Sequence, residues 1–220
     1  AGGLHPGPPA VTPPRHRRGR TMERNTPMRL ELIRHGQTDW NLADKLQGSS
    51  DIPLNDTGRG QALEAARLLA GVEWSAIVSS PLERARETAE IIAAELGIEL
   101  GDAYDELIER DYASHEGRTP ESPIPDQPNA DYPDIEPRES VAARGVGALE
   151  MIRDTRLPLD GDDAHIVVVC HGTIIRFTLA EILGREVPHI ENAAANTVEW
   201  DGTAWHVLSI NGGVLDTPID

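Results

Sequence analysis

MRLELIRHGQTDWN, residues 28–41, decides how the rest of the chain is read. Leu30, Leu32 and Ile33 form a short apolar run that breaks at Arg34, His35 and Gly36, the pattern of a buried strand ending in a site. An open parallel α/β sheet places ligands beyond the carboxyl ends of its strands, so Arg34 and His35 would project where a substrate can lie. Gly36, with no β-carbon, lets backbone come close.

The same break recurs late in the chain. Residues 166–170, IVVVC, are an unbroken apolar run, as expected of a strand covered on both faces in a parallel sheet, and they stop at His171-Gly172. Between the two breaks, Asp56 or Thr57 can cap a helix whose apolar positions Ala62, Leu63, Ala66, Leu69 and Ala70 recur at helical spacing up to Gly71. Residues 74–80 read as a strand with Ile77 and Val78 buried, passing into a helix with Pro81 in its first turn and with Arg84 and Thr88 on one face. Residues 101–117 read as an exposed connection. Residues 118–139 are Pro-rich and acidic, too long for a turn, and mark a lid over 110–139. Ser140 would cap a helix over 140–156; a helix over 174–183 and edge strands at 196–200 and 205–209 complete the series. The expected fold is α/β, a three-layer sandwich with a mostly parallel central sheet flanked by helices on both faces.

A chain of 220 residues has room for one domain, taken as 28–220. Only 4% of residues are aromatic, so the core must be built from Leu, Ile, Val and Ala. Residues 1–27, rich in Pro, Gly and Arg, cannot build a buried face and read as a disordered basic tail. Residues 1–29 carry six Arg and one acid, so the net charge of −17 leaves −22 on the remainder. Such a body repels nucleic acid and anionic membrane, so an anionic substrate requires a local basic pocket. No run approaches the length of a membrane span and no apolar leader segment precedes the first strand, which implies a soluble cytoplasmic protein. Cys170 is the only cysteine, and no disulfide or cysteine-rich metal cluster can form within the chain. The eight histidines include no H-E-x-x-H pattern, and no metal or other cofactor is expected.

Two His-Gly pairs past buried strands, with Arg34 and Arg84, are the ingredients of a phosphoryl pocket. Guanidinium forks match phosphate oxygens and stay charged, and imidazole is a nucleophile near neutrality. RHG followed by QTDWN resembles the opening signature of the histidine phosphatase superfamily, branch 1, which includes the phosphoglycerate mutases. Further matches run in order from about Met28 to Thr197: LQG, Ser80-Pro81-Leu82-Glu83-Arg84-Ala85-Arg86-Glu87-Thr88-Ala89, Leu107-Ile108-Glu109 with Glu116-Gly117, and His171-Gly172. The resemblance implies that His35 attacks phosphorus and becomes a phosphohistidine. It implies that Arg34, Arg84 and His171 hold the phosphoryl group and that Glu109 exchanges protons with the leaving oxygen and with water. Asn41, Gln47, Gly48, Arg110, Gly172 and Thr173 would contact substrate. Ala113 stands where the family commonly has Gly.

The reading is a metal-independent phosphomonoesterase acting on a small phosphorylated metabolite, with a homodimer left open. Phosphoglycerate mutase chemistry is the rival within the family. A mutase needs a second basic clamp, whereas residues 118–139 set Arg118 and Arg138 among six acids, and only Arg110 fits the mutase pattern. A non-catalytic phosphate-binding module is the rival from another class. Cys170 to Arg176 also has the C-x5-R spacing of cysteine-dependent phosphatases, but Ile174-Ile175 is too bulky for a tight anion loop, and strand alternation turns Cys170 into the core.

Overall fold

A computed structural model describes residues 27–119 and 134–215. The tail expected over 1–27 lies, up to residue 26, outside the described residues, as do 120–133 of the expected lid.

The opening stretch becomes β1 (Met28–Arg34), and everything else is arranged around it. After a single helical turn, α1 (Asp39–Leu42), come α2 (Asp56–Leu69), β2 (Ala76–Ser79), α3 (Glu83–Leu96), β3 (Leu100–Ala103), α4 (Arg138–Asp160), β4 (His165–Cys170), α5 (Gly172–Leu183), β5 (Ala195–Trp200), β6 (Trp205–Val207), β7 (Ser209–Ile210) and β8 (Gly213–Val214). Six strands form one sheet in the order β3-β2-β4-β1-β5-β6. β3, β2, β4 and β1 are parallel; β5 pairs antiparallel with β1, and β6 antiparallel with β5. Arg34 and Cys170 are register partners, so the two His-Gly breaks leave the sheet side by side.

Strand alternation sorts the core into two layers. Met28, Leu30 and Leu32 pack with Ile166, Val168, Val141, Leu149, Ile152, Ile174 and Phe177, under α4 and α5. Ile33, Val167 and Val169 pack with Ala65, Ala66, Leu69, Ala85, Ala89 and Ile92, under α2 and α3. The three-layer expectation holds, and Ala-rich α2 and α3 suit it because small side chains bring helices close to the sheet. At Gly145 of α4 a β-carbon would overlap Thr178 Oγ1 of α5. Gly145→Ala should therefore lower stability by about 1–3 kcal/mol through overpacking, despite the better helix propensity of Ala, as read by urea unfolding.

Several boundaries differ from the sequence reading. Asn55, rather than Asp56 or Thr57, caps α2, its side chain accepting from Gly58 N at 2.9 Å. Pro81 precedes α3 instead of sitting in its first turn. Ser140 does not cap α4, which begins at Arg138 after Pro137 and continues to Asp160. The strand expected over 205–209 stops at Val207, and Ser209–Ile210 pairs instead with β8 across the Asn211-Gly212 turn. The connection expected over 101–117 hides a strand and buries Tyr104, Leu107, Glu109 and Arg110. No helix among the described residues is long and apolar enough to cross a membrane.

Candidate active site

Where β1 ends, His35 N donates to Cys170 O at 2.9 Å, tying the chain to the end of β4. Gly36 N donates to Thr88 Oγ1 at 3.1 Å, and a β-carbon at Gly36 would collide with the Gly58 backbone at the start of α2. Only glycine fits there. Strand alternation then places His35 beside His171, with ring centroids 5.1 Å apart and edge to face.

Hydrogen-bond partners fix both imidazoles as neutral tautomers. Gly36 O can only accept, so His35 Nδ1 carries its proton and donates to it at 2.7 Å. Arg84 Nε–H can only donate, and it lies 3.3 Å from His35 Nε2 and 3.2 Å from His171 Nδ1, so both nitrogens present lone pairs. His171 Nε2 then donates to Ser80 Oγ at 2.8 Å. Burial, followed by the positive charge of Arg84, holds both rings well below the ordinary histidine range. Arg84 is itself lowered by burial, to about 10, and stays a cation at neutral pH.

The depressed histidines make stability pH-dependent. Their contribution is complete above the unfolded-chain value of 6.5 and is lost as pH falls below it, because the unfolded chain gains protons that the folded chain refuses. The melting temperature should fall between pH 7.5 and 5, and fall less steeply in His171→Gln.

Beside His35 opens a cavity of about 160 Å³ lined by Arg34, Asn41, Lys45, Leu46, Gln47, Glu109, Tyr112, Gly172, Thr173, Arg176 and His189 as well as His35. Arg34 Nη1 donates to Ile190 O at 2.7 Å and to His189 Nε2 at 3.0 Å, whereas its buried Nε has no hydrogen-bond partner among the described residues. Gln47 Oε1 accepts from Thr38 Oγ1 at 2.7 Å and from Asn41 Nδ2 at 3.3 Å, and its buried Nε2 has none either. Two unsatisfied donors thus belong to side chains on the cavity wall, an arrangement suited to an anion.

Glu109 lies on the same wall. Its Oε1 accepts from Arg110 N at 2.8 Å and Ile174 N at 3.0 Å, and its Oε2 accepts from Thr173 N at 2.9 Å, so the carboxylate takes the place of a cap at the start of α5. Tyr112 donates to or accepts from Thr173 Oγ1 at 2.8 Å, and burial pushes its phenol up to about 12.

The structure brings together His35, Arg34, Arg84, His171, Glu109, Asn41, Gln47, Gly172 and Thr173 from the sequence reading. Arg84 and His171 are fully enclosed behind His35 rather than on the cavity wall. Gly48 takes part through its carbonyl, which accepts from Arg84 Nη2 at 2.7 Å. Arg110 does not line the cavity: it donates from Nε to Glu136 O at 2.8 Å and stacks near Tyr112 and Phe177. Lys45, Arg176 and His189 were not read as site residues. Arg176 lies four residues after Gly172 on α5, a spacing that places both on one helix face; His189 sits in a loop with no pattern to announce it. Ala113 has φ of 47°, the left-handed region where glycine is at ease, which explains the family's Gly. Cys170 is buried in the α4–α5 layer and burial drives its thiol well above its ordinary value, so it is no thiolate nucleophile. Among the described residues no group of three or more His, Cys, Asp or Glu side chains is placed to hold a metal ion.

Comparison with known proteins agrees with this geometry. The model of the histidine phosphatase superfamily (branch 1) matches residues 30–212. The uncharacterized phosphatase PhoE of Bacillus subtilis is 36% identical over 185 residues, 82% of this chain and 92% of that protein. Phosphoglycerate mutase-like protein 4 of Arabidopsis thaliana is 37% identical over 190 residues, 81% of this chain and 82% of that protein. Mycobacterial glucosyl-3-phosphoglycerate phosphatase, solved with VO3, superposes with a TM-score of 0.72 at 28% identity, covering 83% of this chain and 98% of its own. Sequence and backbone thus point the same way as the paired imidazoles, and the chain belongs to the histidine phosphatase superfamily, branch 1.

Proposed function

We propose that residues 28–220 form one phosphomonoesterase domain that needs no metal ion and hydrolyses a small phosphorylated metabolite through a phosphohistidine at position 35. One observation carries this reading: a buried, neutral His35 whose Nε2 lone pair faces Arg84, beside a cavity whose Arg34 Nε and Gln47 Nε2 lack partners among the described residues.

In the first step His35 Nε2 attacks phosphorus and the ester P–O bond breaks, its oxygen taking a proton from Glu109. In the second, Glu109 removes a proton from water, whose oxygen attacks phosphorus as the P–N bond breaks, and phosphate leaves with His35 restored. Arg34 and Arg84 offset the charge on the equatorial oxygens, the Arg84 Nε–H passing from imidazole nitrogen to phosphoryl oxygen. A cavity of about 160 Å³ suits a small metabolite.

Similarity to PhoE and to glucosyl-3-phosphoglycerate phosphatase supports hydrolysis. Similarity to phosphoglycerate mutase-like protein 4 favours isomerisation as the second reading. Against it, Arg138 is occupied by Glu186 at 2.8 Å and Arg110 is turned from the cavity. Phosphomonoesters assayed with a chelator should release inorganic phosphate, and a trapped phosphoenzyme should be lost in acid and survive base. Rapid interconversion of phosphoglycerates with little phosphate released would establish the mutase reading. Phosphate binding without turnover would leave only a binding module.

A further inference from the structure

Glu116 has no part in the reaction just described, yet its carboxylate is fully engaged. A trans peptide carries its carbonyl and its N–H on opposite edges of one rigid plane. The peptide joining Gly48 to Ser49 is gripped on both edges: Ser49 N donates to Glu116 Oε1 at 2.8 Å, and Gly48 O accepts from Arg84 Nη2 at 2.7 Å. Ser50 is held on both sides as well, through two successive peptides: its N–H donates to Glu116 Oε2 at 2.8 Å, its hydroxyl donates to the same oxygen, and its carbonyl, in the peptide that follows, accepts from Arg84 Nη1 at 2.8 Å.

Arg84 is fully enclosed, and among the described residues no carboxylate pairs with it directly. Its two Nη atoms are held by Gly48 O and Ser50 O alone, while its Nε is shared between His35 and His171. The Gly48-Ser49-Ser50 segment thus anchors the end of the guanidinium opposite the two imidazoles and helps to set the direction of that Nε–H.

We propose that Glu116 is a positioning residue for Arg84: by clasping the Ser49 and Ser50 amides it fixes the two carbonyls that aim the guanidinium at His35. An anion on the N–H edge also draws electron density toward the carbonyl edge, so the shared peptide holds the cation more strongly than a free one would. Burial works to raise the Glu116 carboxyl, but the hydrogen bonds from Ser50 and Ser49 outweigh it and hold the group below the usual carboxylate range, which keeps it charged for this task. The inference rests on the reading of Arg84 as a phosphoryl ligand.

A double-mutant cycle on the full chain tests it, using Glu116→Gln, Arg84→Met and the pair. Two readouts are taken: the dissociation constant of inorganic orthovanadate by calorimetry, and kcat/KM for a phosphomonoester. Glu116→Gln should weaken both by about 10- to 100-fold, the scale of an outer partner that orients a site residue. In the Arg84→Met background the same change should add no more than about 2-fold, since nothing is left to aim. Losses that multiply in the pair, or a Glu116→Gln protein equal to wild type, would overturn the proposal. Where Glu116→Gln does not fold, Glu116→Asp, which keeps the charge on a shorter stem, takes its place in the cycle with the same two outcomes. Vanadate binding needs no turnover, so the cycle remains decisive for Glu116 even if hydrolysis fails as the function.

Discussion

Replacing His35 with alanine is expected to take phosphate release to the uncatalysed background, a loss of at least about 10³-fold in kcat, while the chain still folds. Among the described residues the imidazole is the only group in the cavity that presents an unprotonated nitrogen beside both Arg34 and Arg84. His171 has its free nitrogen on the same Arg84 N–H, but it is fully enclosed and its far side is committed to Ser80. Stopped assays with a sensitive phosphate readout, together with melting curves for both proteins, check this. Turnover retained by a folded His35→Ala would refute the assignment of the nucleophile.

Arg84→Met should be the second most damaging change, lowering kcat/KM by about 10³-fold. The guanidinium makes four hydrogen-bond contacts with the protein, and its charge faces both imidazoles. Methionine follows the aliphatic stem but supplies none of these donors, leaving Gly48 O and Ser50 O unpaired at about 1–3 kcal/mol each. Arg84→Lys restores the charge without the planar fork and should recover only part of the activity. Steady-state kinetics and denaturant unfolding on the two variants separate the catalytic loss from the structural one. If lysine matched arginine, charge alone would suffice and the fork geometry would be irrelevant.

What could be read from the sequence follows from how locally each feature is encoded. β1 and β4 declare themselves because buried parallel strands need continuous apolar runs, and both stop at His-Gly. β3 does not: Leu100-Gly101-Asp102-Ala103 is an edge strand of low β propensity, half-exposed or exposed throughout, and only its neighbour β2 makes it a strand. Glu109 reads as one member of an acidic run, yet it is buried because the first-turn amides of α5, 64 residues on, require an acceptor. Arg110 beside it reads as a substrate contact, but in the fold the chain turns it away, toward Glu136 O and two aromatic rings. Ile190 and His189 meet Arg34 only through tertiary structure, from a segment with no periodicity. Arg176 was missed although helical spacing from Gly172 places it on the same face of α5.

The hydrogen bond from His35 Nδ1 to Gly36 O at 2.7 Å also decides regiochemistry. With the ring nitrogen nearer the main chain engaged by the residue that follows, only the remote nitrogen is open to phosphorus, so any phosphoramidate formed at position 35 is the τ isomer. An antibody selective for τ-phosphohistidine should detect it, and one selective for the π isomer should not.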